Sequence, residues 1–537
     1  MQILNDPTVP SQPWWRNAVC YQIYVRSFAD SNGDGVGDLP GVTSRLPYLR
    51  RLGVDAIWLT PFYTSPQHDH GYDVADYCDV DPLFGKLADA DDLIAAAHEA
   101  GLKIMVDIVP NHTSSEHAWF QTALASPPGS AARDRYLFRD GLGPTGDLPP
   151  NNWKSVMGGE GWTRVTEADG TPGQWYLHLF DTSQPDLNWR NPEIGDMFEE
   201  VLRFWLDRGV DGFRIDVAHS LFKAEGLPDD ERPEDERIPT TFTEDGALLD
   251  VHFDPGPMWD QPEVHDVYRR WHKVLAEYDG DRMTVAEAWT HTRESMARYI
   301  RDDELSQSFN FAWLETHWSA SAFQRVIADT FAALDPVGAA PTWVLSNHDV
   351  VRHPTRYGGG LIGLARARAA TLTMLALPGS AYLYQGEELG LQQVEVAPEH
   401  RQDPIWFRSG EVGRDGCRVP LPWAGTTPPY GFGGTPWIPQ PTDWAQLTVE
   451  AQDSDPDSTL NFYRRALQQR RILAGDQTEF VTLAPDVVAF KRGSVLVVLN
   501  CGPTEVRLPA GELLVCSDPA PLRPGFLAPD TAVWLST

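Results

Sequence analysis

The strongest constraint on the fold is a unit that occurs three times: a helical stripe of apolar residues, a glycine where the helix should end, and a short apolar run. The three copies lie within residues 46–59, 93–106 and 194–216. In the third copy, apolar residues recur at i, i+3 and i+4 from Ile194 to Leu206, and Gly209 follows as the expected left-handed cap. Apolar strands that alternate with amphipathic helices predict a parallel sheet covered by helices on both faces.

Further strand candidates bring the number of these units to about eight. They lie near residues 19–24, 283–286, 309–311, 342–345 and 381–384, and the candidate near 309–311 is the weakest. Eight such units close into a barrel, so we expect an α/β fold of the (β/α)8 type, which is a TIM barrel.

Two parts of the chain do not follow the barrel pattern. Residues 111–184 contain Gly, Pro and Trp without helical periodicity and are too long for an ordinary connection, so we expect a domain inserted after the third strand. Apolar runs at 487–490 and 495–499 flank Arg492-Gly493, which is a hairpin pattern. We therefore predict a catalytic barrel from residues 1–110 and 185–465, with an irregular subdomain at about 385–443, and a C-terminal antiparallel β-sandwich from residues 466–537.

Charge and composition exclude several classes of partner. The 76 acidic and 43 basic residues give a formal net charge of −33, which repels nucleic acid and anionic membranes. No stretch approaches the roughly 18 uninterrupted apolar residues of a membrane span, and the N-terminal MQILNDPTVPSQPWW has no signal-sequence pattern. The five scattered cysteines lack metal-ligand spacing, so we expect a cytoplasmic protein without disulfides. The sequence predicts no particular oligomeric state.

Acidic and imidazole side chains follow four of the predicted strands. They occur in DIVPNH at 107–112, GFRID at 212–216, AEAW at 286–289 and SNHD at 346–349. Because barrel active sites lie at the carboxyl ends of the strands, we expect these groups at one rim. Carboxylates so close would repel one another unless a nearby cation stabilises the ionised ones and so separates their pKa values. Arg214 is placed to supply that cation. One such acid alone could equally cap a helix, but four strand ends together favour an active site.

These four motifs, in this order, resemble those of the α-amylase family of glycoside hydrolases, family thirteen. The resemblance extends through Trp14-Trp15, QIYVRSF, DSNGDGVGDLPG, GVDAIWLTPFYTSP, HGYDVADY and QPDLNW to the C-terminal region, and it is strongest to the α-glucosidase and oligo-1,6-glucosidase branch. It implies a barrel with a domain inserted after the third strand and a C-terminal β-sandwich, as the residue pattern also predicts.

The resemblance implies roles for three carboxylates. Asp216 matches the nucleophile that attacks the anomeric carbon, and Glu287 matches the acid/base that protonates the leaving oxygen and then deprotonates water. Asp349 matches the acid that binds ring hydroxyls and stabilises the oxocarbenium-like transition state.

The same motifs imply roles for three neighbouring side chains. His112 and His348 match the imidazoles on either side of the same sugar, and Arg214 matches the residue that keeps Asp216 ionised and oriented. The alternative for the two histidines is packing in the core with their hydrogen bonds satisfied.

Other segments favour a glucosidase over an endo-acting amylase. The amylases of this family carry Lys-His soon after the nucleophile, whereas this chain has Val-Ala-His-Ser at 217–220. QHDHGY at 67–72 and RDGCR at 414–418 resemble segments that bind a terminal glucose, which implies that Asp69, Tyr72 and Arg418 recognise that sugar. Phe180 is a candidate apolar wall of the pocket, and ordinary packing is the alternative.

Val217, directly after the nucleophile, is the candidate determinant of linkage. The resemblance associates valine here with α-1,6 activity, and small or hydroxylated residues with a preference for α-1,4 bonds. The alternative is that Val217 simply completes a barrel strand, where β-branched residues are common.

The segment after the first predicted strand is a candidate calcium loop. Asp30, Asn32, Asp34, the Val36 carbonyl and Asp38 place oxygen ligands at alternating positions, with a glycine for the sharp turn. Gly41 stands where an EF-hand has glutamate, so Asp38 and water would have to complete the shell. We expect structural Ca²⁺, with Mg²⁺ and a plain turn as the alternatives.

Three functions remain to be compared. The first is a retaining exo-acting α-glucosidase on small α-glucosides with α-1,4 or α-1,6 bonds, such as maltose, isomaltose or sucrose. The second is a glucosyl-transferring or isomerising relative, such as a trehalose synthase or a sucrose isomerase. The third, a non-catalytic subunit of an amino-acid transporter, is disfavoured because the chain keeps all three acids and shows no membrane span.

Overall fold

The computed structural model describes residues 12–233, 256–290, 292–520 and 522–537. Eight parallel strands form its largest sheet. They are β1 (Val19–Ile23), β2 (Ala56–Leu59), β3 (Lys103–Ile108), β4 (Gly212–Ile215), β5 (Met283–Ala286), β6 (Gln307–Ser308), β7 (Thr342–Val344) and β8 (Ser380–Tyr384).

The eight strands close into a barrel. Each is hydrogen-bonded to its neighbours in the order β6, β5, β4, β3, β2, β1, β8, β7. A parallel bridge between Asn310 and Trp343, with the Asn310 amide 2.9 Å from the Thr342 carbonyl oxygen, joins the region after β6 to β7. The predicted (β/α)8 barrel is therefore confirmed, including its weak strand near residue 309.

Helices cover the outside of the barrel. The longer ones are Leu39–Leu52, Leu87–Glu99, Pro192–Asp207, Val264–Leu275, Ala320–Leu334, Gly360–Ala376 and Thr459–Arg470, and the shorter ones are Ala118–Leu124, Arg293–Arg298, Phe311–Glu315, His353–Arg356, Pro404–Ser409 and Val449–Asp453. Helix Pro192–Asp207 is capped by Asn191, whose side chain accepts from the Glu193 amide. Gly209 follows with φ +100°, as the predicted left-handed position requires.

Two layers of apolar side chains hold the barrel together. The interior is filled by a compact cluster that includes Trp58, Met105, Met283 and Tyr382, all at most 2% exposed. The larger cluster lies between the strands and the helices and includes Trp205. The barrel is therefore a packed scaffold, and its chemistry must lie at a rim.

Smaller antiparallel sheets follow the early strands. Tyr63–Thr64 pairs with Asp76–Val80 after β2, and Phe138–Arg139, Trp162–Thr166 and Pro172–Leu177 form a three-stranded sheet after β3. That second sheet lies within the stretch predicted to be an inserted domain.

The C-terminal region is an antiparallel β structure, as predicted. Five strands pair in the order Glu479–Phe480, Val487–Arg492, Val495–Asn500, Thr531–Ser536 and Glu512–Cys516, and a second sheet pairs Val506–Arg507 with Phe526–Leu527. Gly493 has φ +57° in the predicted hairpin. Among the helices of the described residues, none is both long and apolar enough to cross a membrane.

Candidate active site

The acidic side chains predicted from the strand ends converge on one buried arginine. Arg214 on β4 is 2% exposed. Its Nη1 lies 3.0 Å from Asp107 Oδ1 and 2.5 Å from Asp216 Oδ1, and its Nη2 lies 2.5 Å from Glu287 Oε2. Three carboxylates from three neighbouring strand ends thus share one guanidinium, as the alternation along β4 predicts for Arg214 and Asp216.

Burial and mutual repulsion limit the negative charge that these carboxylates can carry. Burial raises the pKa of Asp216 well above its ordinary value; Arg214 opposes the rise, and Glu287 and Asp107 add to it. Burial also raises the pKa of Asp107 to about 7, again opposed by Arg214. Carboxylates that interact this strongly titrate as a unit. A retaining glycosidase uses such a pair with its nucleophile ionised and its acid protonated.

The backbone turns sharply after the nucleophile position. β4 ends at Ile215, and Val217 has φ +35°, so the alternative that Val217 completes the strand is wrong. A β-branched residue at positive φ costs on the order of 1–3 kcal/mol. The turn directs the Val217 amide at Glu287 Oε2, 3.1 Å away. The turn therefore links the nucleophile segment directly to the predicted acid/base.

Asp349 lies on the other side of the site between cations. Its Oδ1 is 2.9 Å from Arg418 Nη2 and 3.1 Å from Arg414 Nη1, and its Oδ2 is 3.2 Å from His348 Nε2. Burial favours the neutral acid, but the guanidinium groups of Arg414, Arg418 and Arg214 hold the pKa of Asp349 below its ordinary value. These cations therefore favour the ionised form of Asp349.

Arg414 is a site residue that the sequence reasoning missed. Its Nη2 lies 2.8 Å from Asp69 Oδ1, and its Nε lies 2.7 Å from Asp403 Oδ2. Arg418, selected from the same RDGCR segment, instead donates to Asp349 and to the His348 carbonyl oxygen, 2.8 Å away. The bond to Asp69 is thus made by Arg414, and the segment itself was the signal that could have identified it.

Tyr72 and His348 form a stacked pair. Their rings are 5.3 Å apart at an interplanar angle of 8°, and the Tyr72 hydroxyl donates to Asp107 Oδ2 at 3.1 Å. His348 Nδ1 is 2.6 Å from the Gln22 side-chain nitrogen. Burial lowers the pKa of His348 well below its ordinary value, so the imidazole is neutral, with Nδ1 beside Gln22 and Nε2 beside Asp349.

His112 is buried beside the same site. Its Nε2 lies 3.1 Å from the Tyr72 carbonyl oxygen and 3.1 Å from the Gln184 side-chain nitrogen. Burial lowers the pKa of His112 to about 4, so this imidazole is neutral too. The half-buried ring of Phe180 lies 5.1 Å from the His112 ring, which places Phe180 beside the site and leaves both of its predicted roles open.

Gln184 is a second residue that the sequence reasoning missed. It lies in the QPDLNW segment that was noted only for its resemblance. Its side-chain nitrogen is 3.1 Å from Asp69 Oδ2, so Asp69 is held by Gln184 on one oxygen and by Arg414 on the other.

The candidate calcium loop follows β1 as an ordered run of turns. Both oxygens of Asp30 accept from backbone amides, among them Gly33 at 2.7 Å and Gly35 at 2.9 Å, and Asp38 caps helix Leu39–Leu52 by accepting from the Gly41 amide. The Asn32 and Asp34 side chains accept from amides two residues ahead. The donor set is all oxygen and therefore suits a hard cation. Within the part of the chain that the structure describes, no three His, Cys, Asp or Glu side chains are grouped as a metal site.

Comparison with known proteins agrees with this geometry. The family described as "Alpha amylase, catalytic domain" matches residues 22–474. A probable α-glucosidase of Rhizobium meliloti (strain 1021) is 40% identical over 496 residues, which are 90% of this chain and 88% of that protein. An oligo-1,6-glucosidase of Parageobacillus thermoglucosidasius is 35% identical over 85% of this chain and 84% of its own length.

Solved structures lead to the same family. The crystal structure of an α-glucosyl transfer enzyme matches with a TM-score of 0.86 and 38% identity, over 98% of this chain and 100% of the other. The family match covers most of the chain, and the two glucosidases and the α-glucosyl transfer enzyme agree with it. The protein therefore belongs to the α-amylase family of glycoside hydrolases, in its α-glucosidase and oligo-1,6-glucosidase branch.

Proposed function

We propose that the protein is a retaining, exo-acting α-glucosidase that releases terminal glucose from short α-1,4- and α-1,6-linked glucosides. The observation that carries the proposal is the shared guanidinium. Asp216 and Glu287 each bond a nitrogen of Arg214 at 2.5 Å, which keeps the two carboxyl groups close. Retaining enzymes need about 5–5.5 Å between these groups, whereas inverting enzymes leave roughly 6.5–9.5 Å for a water molecule.

The proposed mechanism has two displacements. Asp216 attacks the anomeric carbon while Glu287 donates a proton to the departing oxygen, so that the glycosidic bond breaks as the bond to Asp216 forms. Glu287, now ionised, takes a proton from water, and the resulting hydroxide breaks the bond to Asp216 and restores both carboxyls. Arg214 stabilises whichever of the two carboxyl groups is ionised at each step, because its guanidinium cannot lose its proton in a protein.

The ion pairs around Asp69 support exo action. Asp69 is 3% exposed and is bonded to Arg414, which also bonds Asp349. We assign Asp69, Asp349 and Arg414, with neutral His112 and His348, to the hydroxyl groups of one terminal glucose. Charged side chains buried in this way would close the site beyond one terminal sugar, whereas an endo-acting enzyme requires an open path for the chain.

Product analysis tests the proposal. Incubation with maltose, isomaltose and sucrose should release free glucose from at least one α-glucoside. The second candidate is a transferring or isomerising enzyme, which the similarity to an α-glucosyl transfer enzyme favours. New disaccharides formed faster than glucose at low substrate concentration would establish that candidate instead.

We expect Val217 to influence linkage preference. Its side chain follows the nucleophile and is 8% exposed at the site. One apolar contact of this kind discriminates by about 1–3 kcal/mol, or roughly 10- to 200-fold. Val217→Thr should therefore lower the ratio of kcat/KM on isomaltose to kcat/KM on maltose. An unchanged ratio would assign Val217 to the turn alone, and a wild-type enzyme without isomaltose activity would overturn the α-1,6 assignment.

We also propose that the loop after β1 binds one structural Ca²⁺, with Mg²⁺ as the alternative. Asp30, Asn32, Asp34, the Val36 carbonyl and Asp38 would be the protein ligands, since the loop offers oxygen donors at alternating positions. Removing the ion with EDTA should lower the melting temperature by mass action, more than it changes KM. Metal analysis should show that the ion was present before treatment and absent after it. If the melting curves are nevertheless identical, the assignment is contradicted.

The compartment and the partners are likewise proposals. Five unpaired cysteines support a reducing compartment, and we propose the cytoplasm. The net charge of −33 supports small neutral sugars, rather than nucleic acid or anionic membranes, as the molecules the protein binds.

A further inference from the structure

Six polar residues form a series of hydrogen bonds that begins at the cap of helix Pro404–Ser409 and ends in its last turn, and we call this series, which the helix backbone closes, the polar ring: Asp403, Arg414, Asp69, Gln184, Asp181 and Arg408. The glucose-binding candidates Asp69 and Arg414 occupy one side of the ring. The other four residues come from helix Pro404–Ser409, its cap, and the segment just after strand Pro172–Leu177.

One half of the ring runs from the helix to Asp69. Asp403 caps helix Pro404–Ser409, since its Oδ1 accepts from the Ile405 amide at 3.0 Å. Its Oδ2 lies 2.7 Å from Arg414 Nε, and Arg414 Nη2 lies 2.8 Å from Asp69 Oδ1. Asp403 and Asp69 are 0% and 3% exposed, so this half is buried.

The other half returns from Asp69 to the same helix. Asp69 Oδ2 accepts from Gln184 at 3.1 Å, and the Gln184 carbonyl oxygen accepts from the Asp181 amide at 2.9 Å. Asp181 Oδ1 then lies 3.0 Å from Nη1 of Arg408, in the last turn of helix Pro404–Ser409. Arg408 also donates twice to the Gly158 carbonyl oxygen, at 2.8 and 3.1 Å.

We propose that Arg408 is a positioning residue that orients Asp69 for the terminal glucose, acting through Asp181 and Gln184. The inference rests on the proposed function, because it takes Asp69 to be a glucose-binding group. Arg408 itself lies outside the sugar contacts. Its guanidinium fixes Asp181, the Asp181 backbone fixes the Gln184 side chain, and Gln184 fixes the second oxygen of Asp69.

The chemistry of Asp69 explains why it needs two supports. A carboxylate that binds sugar hydroxyls must present free lone pairs in a set direction, and a carboxyl group held on one oxygen alone can rotate about its bond to Cβ. Arg414 on Oδ1 and Gln184 on Oδ2 prevent that rotation. Losing one support should weaken glucose binding in the ground state and in the transition state alike, which raises KM and leaves kcat nearly unchanged.

The test compares wild type with Arg408→Gln, Asp181→Asn and the double variant. The matched control is Arg401→Gln, an arginine of the same loop whose guanidinium contacts Val396 and Trp406 instead. Kinetics on maltose are combined with calorimetric binding of 1-deoxynojirimycin, a glucose-shaped inhibitor whose affinity can be measured without turnover. Melting temperatures are recorded for all variants.

We expect Arg408→Gln and Asp181→Asn each to weaken inhibitor binding and raise KM by about tenfold, with kcat within about threefold of wild type. The double variant should bind no more weakly than the weaker-binding single variant, because both changes break the same ion pair between Arg408 and Asp181, and the other bonds of these two side chains do not lead to Asp69. Arg401→Gln should stay within about twofold of wild type.

Two results would overturn the inference while leaving the proposed function intact. One is unchanged KM and affinity in Arg408→Gln, even with a lowered melting temperature, since that is the behaviour of a structural contact alone. The other is a double variant whose fold-change in KM equals the product of the two single fold-changes, since that is the behaviour of two independent contacts. A wild type that neither hydrolyses maltose nor binds the inhibitor would overturn the proposed function itself and, with it, this inference.

Discussion

Asp216→Asn should reduce hydrolysis of every α-glucoside to below about a hundredth of the wild-type rate, because it removes the carboxylate that we propose forms the glycosyl-enzyme bond. The amide has almost the same shape as the carboxylate and can still bond Arg214, which lies 2.5 Å from Asp216 Oδ1. The measurement is kcat on maltose and on p-nitrophenyl α-glucoside. Both substrates should lose activity equally, because an activated leaving group cannot replace a nucleophile.

Asp211→Asn is the matched control for this variant. Asp211 directly precedes β4 and is as buried as Asp216, but it bonds Lys103 and Arg282 at the opposite end of the barrel. It should affect the melting temperature more than kcat. If Asp216→Asn kept more than about a hundredth of wild-type turnover, the assignment would be contradicted. Even an acid/base group usually accelerates the reaction by about 10²- to 10⁴-fold, and a nucleophile should matter no less.

Glu287→Gln should show a different pattern that depends on the leaving group. Maltose hydrolysis should fall below about a hundredth of wild type, because a sugar oxygen leaves poorly without a proton. p-Nitrophenolate needs little protonation, so the first step should be partly restored on p-nitrophenyl α-glucoside. The glutamine can still accept from the Val217 amide and Arg214, which lie 3.1 and 2.5 Å from Glu287 Oε2, so the geometry should persist.

Rapid-mixing kinetics check this prediction. A burst of p-nitrophenol followed by slow turnover is expected from Glu287→Gln, because the variant forms the glycosyl-enzyme but lacks the base that activates water. The Asp216→Asn variant should give no burst and serves as the comparison. Equal losses on both substrates, without a burst, would contradict the assignment of Glu287 as acid/base.

The barrel could be predicted from the sequence because its signals are local. Apolar stripes at helical spacing, a glycine such as Gly209 and a short apolar run identify three of the helix-to-strand units without tertiary information, and apolar runs alone locate the other strands. Strand ends then predicted which acids would meet, since the carboxyl ends of parallel strands share one rim. The convergence of Asp107, Asp216 and Glu287 on Arg214 follows from that rule.

Other features depend on contacts between distant residues, which spacing does not reveal. Arg414 and Arg418 lie in one short segment, and only the folded loop shows which guanidinium reaches Asp69. The sequence pattern places Val217 at the end of a strand, but its φ of +35° accompanies a hydrogen bond from its backbone amide to the side chain of Glu287, 70 residues away. Gln184 lies 115 residues from Asp69, so no local pattern links the two.

The most direct test of the central claim is the anomeric configuration of the first glucose released. Proton NMR during the first minutes of p-nitrophenyl α-glucoside hydrolysis separates the two anomers before they interconvert. Two displacements, at Asp216 and then by water activated by Glu287, predict that α-glucose appears first and β-glucose only later by mutarotation. Initial formation of β-glucose would mean a single displacement by water and would contradict the account of this site.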